Sequence, residues 1–376
     1  MGDKPFKQGR AWVEVDLNAI SHNIREIRSK TPKNCELMVV LKADAYGHGV
    51  KKVAKRMVQE GIKAFAVATL TEGIQLRKYI NDGSILILGY THPKDSALLA
   101  EYALAQIIFD AGYAKELDAA SEKINVHIAI NTGMNRLGIA PYEFDDIESI
   151  FHCKNLTVEG IATHLSASDS LENNDVDFTK SQIEKFTGVV KKLKEKGYNP
   201  GKQHLQSSYG IYNYPELEND YVRPGIMLFG VQSKNGETKI KTELIPALSV
   251  KAVIAQVRWI EAGESVSYSR TYTADKPMKL ATVCIGYADG IPRQMSGNGG
   301  FGLVHGHKVP VVGRICMDSL ILDVTGIENV KAGDTATLIG KDRDEEIRCE
   351  DVAEAAGTIT NDILSRLGNR LKRIYK

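Results

Sequence analysis

The chain has 376 residues, with 48 lysines and arginines against 47 aspartates and glutamates and a net charge of +1, so it offers no cationic face for nucleic acid or an anionic membrane. An apolar share of 43% with 25% charged residues is that of a soluble globular protein, and the length suits one large domain followed by a smaller one. No apolar run approaches the roughly 18 residues of a membrane-spanning helix, and the start, Met1-Gly2-Asp3-Lys4-Pro5-Phe6, carries neither a signal-peptide core nor the hydroxyl residue of a myristoylation site.

In chain order, Ala11-Trp12-Val13-Glu14-Val15 alternates like a strand. A helix follows, with Asp16 placed to cap it and Leu17, Ile20, Ile24 and Ile27 supplying its apolar stripe. From there to about residue 240, short apolar strands alternate with amphipathic helices. The strands fall near Leu37–Leu41, Ala64–Ala68, Ile85–Leu88, Gln106–Phe109, Val126–Ile130, Val158–Thr163, Gln203–Gln206 and Val222–Phe229. Val50, Val53, Ala54, Met57 and Val58 recur at helical spacing; Phe144, Ile147 and Phe151 mark another helix face, and Phe186, Val189, Val190 and Leu193 a third. The lysine-rich stretch Lys185–Lys202 reads as the solvated side of its helix. Eight βα repeats predict a (β/α)8 TIM-type barrel over residues 11–240. The strand at 11–16 has no barrel slot left and is assigned to pair with the second domain.

From residue 244 to 376 the texture changes. Strand-like runs at Leu248–Trp259, Met278–Ile285, Lys308–Val312, Ser319–Val324 and Thr335–Ile339 follow closely, punctuated by Ala262-Gly263-Glu264 and Ala332-Gly333-Asp334. They predict a smaller, mostly antiparallel β domain, with a terminal helix near Cys349–Leu367. The cysteines (Cys35, Cys153, Cys284, Cys316 and Cys349) are scattered and contain no Cys-x-x-Cys. That pattern argues for a reducing compartment and against a disulfide frame or zinc cage.

A barrel enzyme works at the C-terminal ends of its strands. At the first end, Val39-Val40-Leu41-Lys42-Ala43-Asp44-Ala45-Tyr46-Gly47-His48-Gly49 puts a lysine where strand meets loop. A lysine desolvated there has a lowered pKa and a free amine nucleophile. The fifth strand runs into Asn131-Thr132-Gly133-Met134-Asn135-Arg136-Leu137-Gly138, and the sixth ends at His164. The seventh runs into Ser207-Ser208-Tyr209-Gly210, and the eighth carries Tyr221-Val222-Arg223-Pro224-Gly225-Ile226. The loops after strands seven and eight are the usual barrel phosphate site; Ser208 offers a hydroxyl, and Gly225 and Ile226 offer backbone N–H groups. A phosphate opposite a lysine suggests a phosphorylated aldehyde held as a Schiff base, pyridoxal 5′-phosphate. Taken singly, each piece has a plainer reading: a surface lysine in a βα turn, a serine-rich turn, a hydrogen-bonded core histidine.

With these residues in view, the chain resembles the alanine racemase family, fold-type III pyridoxal phosphate enzymes, over essentially its whole length. The resemblance is carried by Val40-Leu41-Lys42-Ala43-Asp44-Ala45-Tyr46-Gly47-His48-Gly49, Thr132-Gly133-Met134-Asn135-Arg136-Leu137-Gly138, Val222-Arg223-Pro224-Gly225-Ile226 and Gly313-Arg314-Ile315-Cys316-Met317-Asp318. It implies an amino-acid racemase acting on small amino acids, built as a homodimer with shared active sites and needing no metal. Lys42 then carries the cofactor and serves as the base on one face of the substrate Cα. Tyr268, in Ser267-Tyr268-Ser269-Arg270-Thr271-Tyr272, matches the second base, supplied to the other face by the partner subunit; racemisation needs both. An ordinary tyrosine, with a pKa near 10, is a poor base at neutral pH. His164 and Arg223 match the residues that chain behind it and stabilise its phenolate.

Arg223 also matches the residue facing the pyridine nitrogen, where a permanently charged donor cannot protonate the ring and leaves it a weaker electron sink. Arg136 matches the residue at the cofactor's phenolic oxygen and the substrate; Tyr46, Ser208, Gly225 and Ile226 match the phosphate contacts. Met317 matches a partner-subunit contact to the substrate carboxylate. Asp318, Asp169, Tyr287, Arg293, Arg314 and Ile359 correspond to supporting or access-channel positions; for Asp169, Arg293, Arg314 and Ile359 a rim of salt bridges is the plainer alternative.

Two departures matter. Many relatives carry a lysine, carbamylated in some, where this chain has Ala129. Arg136 then needs another anionic partner, such as a bound chloride. Alanine racemases usually carry a tyrosine where Gly357-Thr358-Ile359-Thr360-Asn361-Asp362-Ile363-Leu364 has Asn361. The short amide opens space and adds a donor and an acceptor that a serine hydroxyl can use. That pattern is similar to the serine/alanine racemase domains linked to vancomycin resistance, which make D-serine for altered cell-wall precursors. The alternatives are an ordinary alanine racemase in which Asn361 is neutral, a barrel-fold pyridoxal phosphate decarboxylase, and a non-catalytic cofactor-binding protein. The reading places the chain in the cytoplasm, either as a whole protein or as the cytoplasmic part of a longer membrane-anchored one.

Overall fold

The structure is a computed structural model that describes residues 9–120, 122–233 and 238–376. A first strand, β1 (Ala11–Val15), and the helix Leu17–Ser29 precede the barrel. Asp16 caps that helix, its Oδ1 accepting the backbone N–H of Asn18 at 2.8 Å and of Ala19 at 3.1 Å.

The barrel strands are β2 (Glu36–Val40), β3 (Ala64–Val67), β4 (Ser84–Ile87), β5 (Ala105–Ile108), β6 (Ile124–Ala129), β7 (Leu156–Ala162), β8 (Lys202–His204) and β9 (Tyr221–Val222). Each pairs in parallel with the next from β2 to β8, and β9 pairs with β2. Several of these strands are buried along their whole length, as expected where helices cover a parallel sheet. The ring closes between β8 and β9: Asp220 N–H donates to the Gln203 carbonyl at 3.0 Å and Arg223 N–H to that of Gln206 at 2.8 Å. The eighth strand is much shorter than the expected Val222–Phe229. Pro224 has no N–H to give a ladder, Gly225 leaves the extended region at φ −129°, ψ −95°, and Ile226–Phe229 winds into a 3₁₀ helix.

The second domain is built on β10 (Leu248–Ile260), which pairs antiparallel with β1. After the small ribbon β11 (Ser265–Val266) and β12 (Tyr272–Thr273) come β13 (Met278–Val283), β14 (Phe301–Val304), β15 (His307–Pro310), β16 (Leu320–Asp323), β17 (Thr335–Asp342), β18 (Glu345–Ile347) and β19 (Lys372–Tyr375). The last of these runs parallel to β1. Sequence pattern did not single out β14, β18 or β19. The expected terminal helix is two pieces, Cys349–Ala355 and Thr360–Ser365. Gly357, at φ +66°, takes the left-handed turn that separates them.

One continuous cluster of buried apolar residues runs through barrel and second domain, so the two halves share a core, and a small separate cluster lies around Val266, Met278 and Val312. Asn23, fully buried, stitches the seam: its Nδ2 donates to the carbonyls of Leu228 (3.1 Å) and Ile245 (2.9 Å), and its Oδ1 accepts the Ile245 N–H at 2.8 Å. Among the described residues no helix is long and apolar enough to cross a membrane, and no His/Cys/Asp/Glu group is placed to hold a metal ion.

Candidate active site

Lys42 does not sit in a simple βα turn. It heads a left-handed helical turn: Ala43 (φ 52°, ψ 52°), Asp44 (53°, 46°) and Ala45 (55°, 51°), followed by Tyr46 at φ 50° and Gly47 at φ 76°. Four consecutive non-glycine residues in this region cost roughly 4–8 kcal/mol together, so the surroundings must over-determine the turn. Glu72 does part of this, its carboxylate accepting Ala43 N–H at 2.7 Å and Ala68 N–H at 2.8 Å. The Asp44 carboxylate accepts Val50 N–H at 2.7 Å and starts the next helix, Val50–Gln59. The buried His48 ring donates through Nδ1 to the carbonyls of Tyr46 (2.8 Å) and Ala45 (3.1 Å). The turn aims Lys42 into a cavity of about 430 Å³ at the C-terminal mouth of the barrel. Burial first, and then the charge of Arg136, lower the pKa of the Lys42 amine.

Behind the cavity lies Arg223, buried and, among the described residues, without a carboxylate partner. Its Nη1 donates to His204 Nδ1 and to the His204 carbonyl, both at 2.7 Å. Its Nη2 donates to the carbonyls of Thr163 (2.8 Å) and Leu205 (3.1 Å) and faces His164 Nδ1 at 3.3 Å. Burial lowers the guanidinium pKa to about 10, which still leaves it charged at neutral pH. A guanidinium only donates, so both histidines must accept on Nδ1 and carry their proton on Nε2. His204 Nε2–H then donates to His127 Nδ1 at 2.8 Å. The arginine thereby sets the direction of the whole chain.

Around the cavity stand Lys42, Tyr46, Arg136, His164, Ser208, Arg223, Gly225, Ile226 and Asn361, with Ala129 and Thr132, and, among the described residues, no aspartate or glutamate. Such a wall selects an anionic ligand. Ser208 Oγ accepts Gly225 N–H at 2.9 Å, which leaves its own hydroxyl proton free to donate. A Cβ on Gly225 would lie 2.7 Å from Tyr46 Oη, so only glycine leaves the cradle open. These residues fit a phosphate. Among the described residues no carboxylate forms an ion pair with Arg136. Asn361 reaches the cavity from the second domain because Thr360 is tied to the barrel rim, N–H to the Ser233 carbonyl at 3.0 Å and Oγ1 to that of Gln232 at 2.6 Å. Asn361 Oδ1 is buried with no hydrogen-bond partner.

The remaining sequence candidates do not line this cavity. Tyr268 is 67% exposed and Met317 52% exposed on the second domain, with Tyr287 also exposed. They are linked to one another: Ser267 Oγ donates to the Arg314 carbonyl at 2.6 Å, and Tyr287 and Ala288 N–H donate to those of Cys316 and Met317 at 3.0 Å. Asp318 is held by Arg370 and Arg10, which also flank the fully buried Asp289. Arg293 and Ile359 are exposed; Arg314 and Asp169 are half-buried. Sequence reading missed His204, His127, Glu72 and Gln182. The last is fully buried and donates to Thr132 Oγ1 and the His164 carbonyl, both at 3.1 Å. For His127 and His204 a signal existed, since both fall inside expected barrel strands.

Family profiles for "Alanine racemase, N-terminal domain" and "Alanine racemase, C-terminal domain" match residues 15–233 and 247–375. The chain belongs to the alanine racemase family. An amino-acid racemase of Enterococcus faecalis is 44% identical over 98% of this chain. The alanine racemase of Carboxydothermus hydrogenoformans is 40% identical over 97% of it, and a serine/alanine racemase of Enterococcus gallinarum 40% identical over 98%. The chain spans about half the length of the two Enterococcus relatives, 52% of each, and 99% of the Carboxydothermus one. The solved alanine racemase of Clostridium difficile 630 matches with a TM-score of 0.92 at 29% identity, covering 99% of this chain and 97% of that one. The alanine racemase of Bartonella henselae, solved with covalently bound pyridoxal phosphate, matches at 0.85 and 31%, covering 98% and 100%.

The barrel keeps its buried histidines neutral. Burial lowers His127 and His48 to about 4 and His164 to about 3, with Arg223 adding repulsion at His127 and His164. Between these values and about 6.5 the unfolded chain binds protons that the folded one refuses, so stability falls as pH drops through that window. Each fully buried ring is expected to cost about 2 kcal/mol at pH 5 relative to neutral pH. Urea unfolding of cofactor-free protein at pH 7 and pH 5 measures the loss. His127→Asn is expected to shrink the difference by about one histidine's share, and a flat profile overturns the neutral assignment.

Proposed function

We propose that the protein interconverts the L and D forms of serine and alanine on pyridoxal 5′-phosphate held covalently by the Lys42 amine. The observation that carries this reading is the lysine at the head of a strained turn, in a cavity that the described residues line with three cations and no carboxylate, opposite an open Ser208–Gly225 cradle. Bound there, the cofactor supplies the electron sink that acidifies the substrate Cα–H. Lys42, its amine pKa lowered by burial, moves the proton on one face. The outer donor of His164 is Nε2–H, placed to stabilise a phenolate. Of the Arg223 donors, only Nε–H lacks a protein acceptor among the described residues; it is the donor left for the cofactor ring nitrogen. A permanently charged group there cannot act as an acid, which disfavours the decarboxylase alternative. The free thiols suit a reducing, cytoplasmic setting, and the role this reading implies is supply of D-amino acids for cell-wall precursors.

The second base in this reading is Tyr268 of the partner subunit, because Tyr268 of the same chain is exposed away from the cavity. Lys42→Ala and Tyr268→Phe are each expected to abolish turnover. Mixed and reassembled, they are expected to regain about a quarter of wild-type activity, since half the dimers then hold one intact site of two. Recovery of nothing places the tyrosine in its own subunit.

The orphaned Asn361 Oδ1 supports serine as a substrate, because it offers an acceptor to a side-chain hydroxyl. In a chiral assay, Asn361→Tyr is expected to lower kcat/KM for serine about tenfold more than for alanine. Equal losses remove Asn361 as the selector.

Ala129 leaves Arg136 without a fixed anion, and we assign that place to chloride. At constant ionic strength, replacing a non-coordinating anion by chloride is expected to raise racemisation about two- to fivefold; Ala129→Glu is expected to remove that dependence. No chloride effect on the wild type counts against it.

A further inference from the structure

The last strand reaches back to the lysine turn from the other domain. Arg373 Nε donates to the Gly47 carbonyl at 3.0 Å. The rest of its fork is spent on the carbonyls of Gly368 (2.6 Å), Leu371 (2.7 Å) and Leu367 (2.5 Å). This arginine makes no ion pair at bonding distance among the described residues; it brackets two pieces of backbone. One is the end of the left-handed turn. The other follows the helix Thr360–Ser365, which carries Asn361. Two residues on, Tyr375 Oη donates to the His48 carbonyl at 3.1 Å. The fit is close: a Cβ on Gly49 would lie 1.9 Å from Tyr375 Oη, and one on Gly47 would lie 2.3 Å from the Leu364 carbonyl. β19 is itself secured by pairing with β1 and by Lys376 N–H to the Val15 carbonyl at 2.9 Å.

Within the barrel, Glu72 secures only the start of the turn, at Ala43, and His48 closes it from inside. Its far end, at Gly47 and His48, is held by side chains of the second domain. We propose that β19 is a clamp on the Lys42 turn, with Arg373 and Tyr375 as positioning residues that hold the cofactor amine and the Asn361 helix in one register. The inference rests on the reading of Lys42 as the cofactor-bearing lysine.

The test uses the full chain and the variants Tyr375→Phe, Arg373→Lys and Arg373→Met. Two readouts are independent of turnover: hydrogen exchange of the amides of residues 43–49 in cofactor-free protein, and the dissociation constant for pyridoxal phosphate by absorbance titration. Arg373→Met is expected to speed exchange in that segment by about tenfold and to weaken cofactor binding by a similar factor. Tyr375→Phe is expected to do so about three- to fivefold, with the melting temperature of the cofactor-free protein moving less than about 3 °C. Arg373→Lys keeps one donor and is expected to recover part of the effect. Should Arg373→Met fail to fold, Tyr375→Phe and Arg373→Lys decide the matter. Unchanged exchange and affinity overturn the clamp, as does faster exchange spread evenly over the barrel, which is ordinary destabilisation. A wild-type protein that binds no cofactor at Lys42 overturns the functional reading instead, while exchange in the cofactor-free variants still judges the clamp.

Discussion

A buried guanidinium with no counterion among the described residues organises this molecule. Arg223 sits at the seam where the barrel closes, and its acceptors are three carbonyls at the ends of β7 and β8 together with two imidazole nitrogens. Leaving such a charge without partners in a low dielectric is among the most costly arrangements a protein can hold. Here the cost is offset by saturating its forks with polar groups that the barrel already presents at that point. Three consequences follow from the one interaction. The barrel end is cross-tied, the tautomers of His204, His164 and His127 are set, and the cavity keeps a positive charge for an anionic ligand to neutralise.

The second organising feature is stored strain. A left-handed turn of non-glycine residues persists only because its surroundings leave it no alternative. In this chain the surroundings come from both domains: Glu72 and His48 from the barrel, Arg373 and Tyr375 from the last strand. The lysine is therefore presented by a rigid element although it lies outside regular secondary structure, which suits the role proposed for it, since that role needs a geometry held to a fraction of an ångström. The shared core and the Asn23 stitch serve the same end, since a loose domain interface would release the turn.

Polarity in the cavity is uneven. The phosphate end is a preformed cradle of glycine and serine. The other end holds one unsatisfied acceptor, Asn361 Oδ1, and one arginine with no fixed anion. Unsatisfied buried groups are rare in folded proteins and call for a ligand. The function proposed above pairs a hydroxyl-bearing substrate with the first and a small anion with the second.

Much of the barrel was legible in the sequence because apolar strands and amphipathic helices differ in period, and because a parallel barrel puts chemistry at the C-terminal strand ends. Lys42, Arg136, His164, Ser208 and Arg223 could be placed at one mouth on that ground alone. Less could be seen where local preference was overruled. Four successive residues at Ala43, Asp44, Ala45 and Tyr46 do not take the left-handed region by local preference, and contacts from Glu72, His48, Arg373 and Tyr375 hold them there. β19 is a short run of mixed residues, and its role is set by where its neighbours β1 and Gly47 lie. His127 and His204 were not singled out in the sequence, because their place in the site depends on Arg223, which donates to His204, and on His204, which donates to His127. Asn361 stood out by its type, but its bare acceptor is a fact of packing. Sequence alone determined which element each segment forms and which residues can do chemistry, since both depend on neighbours a few residues away. Which groups meet, which way their protons point and which remain unsatisfied was decided by the tertiary structure, because those are properties of contacts between residues tens to hundreds of positions apart.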